Sequence, residues 1–114
     1  MNEQEQMLLN LLGYMFLQSA RPDKAAVVLT ALDAMAPDQP KVLRALALAQ
    51  LRGEKPERAL GVLDRLAMVG SVDAAFHLLR AQSLTALARH DEAAAAMQNY
   101  VHLRSVSVRV AASA

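Results

Sequence analysis

Apolar side chains recur at three- and four-residue intervals along most of this chain. Met7, Leu8, Leu11, Leu12, Met15 and Phe16 form the first such stripe, and the spacing predicts an amphipathic helix from about Glu3 to Ser19. Ala25, Leu29 and Leu32 form the second, over Asp23 to Met35. Pro22 suits the first turn of that helix, and Pro37 stops it because proline cannot continue the hydrogen-bond ladder. Asp38-Gln39-Pro40 then reads as a turn. Leu43, Leu46, Ala47 and Gln50 mark a third helix that Gly53 is expected to cap. Ala59, Leu63 and Leu66 mark a fourth, closed by Gly70-Ser71 and weakened inside by Gly61.

Six residues repeat between these stripes. Ala20-Arg21-Pro22-Asp23-Lys24-Ala25 returns as Glu54-Lys55-Pro56-Glu57-Arg58-Ala59 and again as Ala88-Arg89-His90-Asp91-Glu92-Ala93, 34 residues on each time. That period resembles the tetratricopeptide (TPR) spacing, one helix-turn-helix per repeat. Leu12-Gly13-Tyr14 resembles the leucine–glycine pair of a TPR first helix, where a missing side chain lets the second helix approach, and Ala47 takes the same place one repeat on. The resemblance implies an all-α fold of three tandem TPR units in a short right-handed superhelix. The expected repeats are about 6–39, 40–72 and 73–104, a single domain over 1–104, followed by a flexible C-terminal tail over 105–114.

The third repeat is less regular. Strict spacing puts His77 and Arg80 where Leu43 and Leu46 stood, whereas a shift of one residue puts Phe76, Leu79 and Ser83 on the buried side. The sequence therefore suggests a one-residue slip near Val69 to Val72, with Asp73 capping the fifth helix. Ala93, Met97 and Tyr100 are expected to fill the second-helix positions of that repeat. Beyond Val101, Val106, Val108 and Val110 alternate with polar residues, a strand signal with no partner strand in an all-helical domain. A frayed helix end running into a disordered tail is the simpler reading, against docking on a partner.

Composition narrows the function. Apolar residues make up 54% of 114 and charged ones 20%, enough for one globular core. A net charge of +1 gives no field to recruit nucleic acid, and no run is long and apolar enough for direct membrane insertion. The absence of cysteine excludes disulfides and thiol chemistry. The polar, acidic start from Met1 to Gln6 does not resemble a secretory leader, so a cytoplasmic protein is expected. His77, His90 and His102 have no metal spacing, and no phosphate loop, serine elbow or carboxylate cluster appears. No catalytic residue, metal or cofactor is therefore expected, and the chain reads as a non-enzyme.

In stacked helix pairs the first helices line the concave side. The faces turned away from the buried leucines offer Met7, Asn10, Tyr14 and Leu17 in the first repeat, Lys41, Arg44, Leu48 and Leu51 in the second, and Leu78, Gln82 and Thr85 in the third. These predict an apolar groove for an extended or helical peptide, with Lys41 and Arg44 fixing register. Helix packing or a dimer seam is the competing account. The six methionines fit an adaptable binding surface and core gap-filling about equally.

A narrower resemblance rests on Leu8-Leu9-Asn10-Leu11-Leu12-Gly13-Tyr14 with Leu17-Gln18, Lys24-Ala25, Leu29-Thr30-Ala31-Leu32, Leu79-Arg80-Ala81-Gln82 and Gln98-Asn99-Tyr100-Val101. These runs, within about residues 5–104, are similar to the small TPR chaperones of bacterial type III secretion, most of all the YscY type. The resemblance implies a cytoplasmic bacterial chaperone and virulence factor that binds a small secreted YscX-type protein as a heterodimer and helps present it to the export gate. Chaperones of needle or translocator subunits and a general TPR adaptor are the alternatives.

Overall fold

The computed structural model describes residues 2–113, with side chains through Val106. Its described residues form six α-helices: α1 (Glu3–Gln18), α2 (Pro22–Met35), α3 (Pro40–Arg52), α4 (Pro56–Met68), α5 (Ala74–Ala86) and α6 (His90–Ser113). They pair as α1 with α2, α3 with α4 and α5 with α6, while α2 against α3 and α4 against α5 join the repeats.

Helix starts follow two chemical solutions. Asn2 Oδ1 accepts the Glu5 amide at 2.8 Å and Asp73 Oδ1 accepts the Phe76 amide at 2.9 Å, each satisfying an orphan donor. α2, α3 and α4 instead open on Pro22, Pro40 and Pro56, which have no donor to orphan. The three repeated turns share one ending. Ala20, Glu54 and Ala88 all take left-handed φ of 56°, 62° and 57°. Arg21, Lys55 and Arg89 then donate to Phe16, Gln50 and Leu84 carbonyls at 2.8–2.9 Å, closing a Schellman motif.

Gly53 does stand at the C-cap of α3, but at φ −81°, a backbone conformation that does not require glycine; the left-handed place is Glu54. Glu54→Gly should therefore stabilise the fold by about 1 kcal/mol. Gly61→Ala, in mid-helix with nothing within 4 Å of the added carbon, should give about as much. Urea unfolding measures both.

The core is continuous across the repeats. Leu29, Leu43, Leu63 and Leu66 are almost completely buried, as are Ala25, Ala47 and Ala59. Gly13 carries its packing reason: a β-carbon there would lie 2.9 Å from Leu29 Cδ2. The backs of the first two repeats are clipped by Arg65, whose guanidinium lies 2.7 Å from both Asp33 and Asp38 carboxylates. Asp33, hydrogen-bonded by Arg65, is held below its ordinary pKa. A depressed carboxylate stabilises fully above its unfolded pKa, and that contribution disappears as pH falls through the lower folded value. Arg65→Met should hence lower stability at neutral pH but make little difference in strong acid, as acid-titrated denaturation would record.

One expectation is corrected. α3 and α5 start and end 34 residues apart, as do the left-handed turn residues, so the frame does not slip. Phe76, Leu79 and Ser83 are buried because they face the preceding repeat, at the phase of Val42, Ala45 and Ala49. His77 and Arg80, at the phase of Leu43 and Leu46, are only partly buried, since among the described residues no further repeat packs on them. The valine alternation lies within α6, which is helical to Ser113. The side chains of Val108 and Val110 lie outside the described residues. Within α6, Ala93 and Ala96 are buried, while Met97 is 40% exposed at a position that buries Leu29 and Leu63.

Candidate functional site

α1, α3 and α5 lie side by side and enclose a cavity of about 630 Å³ on their common face. Every lining residue comes from these three helices, the geometry expected of first helices in a stacked repeat. Tyr14, Leu48 and Leu78 form an apolar wall, and the backbone phase that places them is the 34-residue frame. Tyr14, Leu48 and Gln82 are equivalent positions, as are Asn10, Arg44 and Leu78. A second hollow of about 500 Å³ adjoins along α1, lined by Met7, Leu8, Asn10, Leu11, Tyr14 and Lys41.

Of the residues expected at the groove, Tyr14, Leu17, Lys41, Arg44, Leu48, Leu78 and Gln82 line the larger cavity. Met7 and Asn10 line the smaller one, which Tyr14 and Lys41 share. Leu17 is a floor residue rather than an accessible wall, being 6% exposed. Leu51 and Thr85 line neither hollow. Leu51 packs partly buried against the core, and the Thr85 hydroxyl donates to the Ala81 carbonyl at 2.8 Å. The sequence reading missed Gln18, Ala45, Arg52, Ala75 and Leu79; of these the 34-residue phase supplies Ala75, the third-repeat equivalent of Met7 and Lys41, whereas Gln18 and Arg52 are equivalent only to each other.

The cavity has a marked electrostatic bias. Lys41, Arg44 and Arg52 line it and no carboxylate does. Arg44 is engaged structurally, its Nη2 donating to Asp73 Oδ2 at 2.8 Å, and its buried Nε has no acceptor among the described residues. Lys41 and Arg52 form no ion pair among the described residues, and so are available to a ligand's carboxylates. His77 sits edge-on to Phe76 with ring centroids 5.1 Å apart. Burial, then the Arg80 charge, pushes its pKa down and keeps the imidazole neutral, a packing role. Among the described residues no group of three or more acidic or imidazole side chains could hold a metal ion. No described helix is long and apolar enough to cross a membrane.

A tetratricopeptide repeat family model matches residues 16–83, more than half of the chain. The chain belongs to the tetratricopeptide repeat family. TPR helices stack into extended concave surfaces that bind other proteins, and α1, α3 and α5 present a concave face of that kind. No curated protein matches the chain.

Proposed function

We propose that this TPR protein is a non-enzymatic, cytoplasmic chaperone of bacterial type III secretion, of the YscY type. It would hold a small secreted YscX-type protein as a heterodimer in the α1–α3–α5 cavity and help bring it to the export gate. The observation that carries the reading is the cavity itself: a half-exposed Tyr14 and partly buried Leu48 and Leu78 stand over a floor of Leu17 and Leu79, with unpaired Lys41 and Arg52 at hand. Such a wall suits an apolar helix or extended segment that carries acidic residues. Covering it removes greasy surface from water for both partners. The short runs similar to YscY-type chaperones favour a YscX-type client.

A general adaptor between two folded proteins uses the same concave surface and is distinguished by its partner. Co-expression with a small secreted protein of the YscX type tests the choice. Co-purification as a stoichiometric complex, with the client insoluble when produced alone, is the expected result. A client that stays soluble alone and does not co-purify would overturn the chaperone reading.

A further inference from the structure

The two ends of the repeat stack expose the halves of one interface. Leu8, Leu11 and Met15 of α1 hold the phase at which α3 places Val42, Ala45 and Ala49 and α5 places Phe76, Leu79 and Ser83. The six interior residues are buried against the preceding repeat, whereas Leu8, Leu11 and Met15 are 59%, 57% and 51% exposed. At the other end Met97 and Val101 lie open on α6, with no further helix packed on them among the described residues. The ionic clip is altered in the same sense. Val101 takes the place of Asp33 and Ala31 that of Arg65, as Ala67 and Asn99 already do between the second and third repeats. A solitary end of a repeat stack needs a polar outer face to stay dispersed, and these two ends are apolar.

We propose that a second copy of this chain stacks end to end on the first, its α1 seated on α5 and α6 as α3 is seated on α1 and α2. Leu8, Leu11 and Met15 of one copy cover Met97 and Val101 of the other, and Val101 meets Ala31 where the first two repeats use the Arg65 clip. Arg80 stands on the α5 half of the receiving edge, and Glu3 and Glu5 in the first turn of α1 bring the opposite sign. The contact joins unlike surfaces, so it propagates as an open chain of copies rather than closing as a symmetric dimer. It leaves the concave cavity free.

Sedimentation velocity over a concentration series of the full chain tests this. The wild type should show a mean sedimentation coefficient that rises with concentration and does not level off at a dimer. Leu11→Glu disables one end and Met97→Glu the other, so each variant alone should stay monomeric. Their mixture should form a dimer and nothing larger, because each retains the end that the other lacks. Leu8→Glu and Val101→Glu provide a second pair should circular dichroism show that either of the first has lost helix. A wild type that stays monomeric throughout, or a mixture that does, overturns the proposal. So does a dimer retained by Met97→Glu alone, which would mean that two α1 faces meet symmetrically, and so does dispersal by the groove variant Leu48→Asp.

Discussion

Leu63→Ala is expected to lower the unfolding free energy by about 2–5 kcal/mol, a large part of the roughly 5–15 kcal/mol that holds a domain of this size. Leu63 lies in α4 of the central repeat and is 1% exposed, so its truncation removes buried methyl groups and leaves a cavity walled by neighbours on both sides. The repeat offers its own controls. Leu29 holds the same phase in α2 and is fully buried, so Leu29→Ala should cost about as much. Met97 holds it in α6 at 40% exposure, and Met97→Ala should cost under about 1 kcal/mol. Urea denaturation of the three variants gives the order. Equal losses at all three would mean that the α6 face is covered in the isolated chain.

Much of this fold was legible because the constraints are local and repeated. The left-handed turn ending, the small residue at Gly13, Ala47 and Ala81, and the proline starts each recur at 34 residues and follow from backbone chemistry within one turn. What misled was the effect of the ends. His77 and Arg80 looked like a shift of frame, yet they mark positions that the last repeat need not bury. The same cause made Met97 look like core. The valine alternation carried a strand's period, but a lone strand leaves its backbone donors and acceptors unpaired, whereas α6 satisfies them internally. The groove was readable where side-chain phase alone decides, as at Tyr14, Leu48 and Leu78. It was not readable at Leu17, which is buried in the folded stack, nor at Arg52, a terminal cation whose relation to the cavity depends on how α1 and α3 lie together.

Leu48→Asp is expected to weaken client binding by about 2 kcal/mol or more, roughly thirtyfold in Kd, without unfolding the protein. Leu48 stands on the middle helix of the three that enclose the cavity, so a segment lying across all of them must pass over it. A carboxylate there loses apolar contact and would have to be desolvated beneath the client. It also lies among Lys41, Arg44 and Arg52, which could draw it aside and cancel the cations offered to acidic client residues. Thr85→Asp is the matched control, adding the same charge to α5 at a residue that lines neither hollow, and should leave Kd within about twofold. Lys41→Glu should chiefly lower the association rate and invert its dependence on salt, since an exposed charge steers encounter more than it holds the complex. Titration calorimetry and stopped-flow binding at two ionic strengths separate these effects. Equal losses from Leu48→Asp and Thr85→Asp would mean that added negative charge, and not the apolar wall, controls affinity, and the client would then be held somewhere other than the α1–α3–α5 cavity.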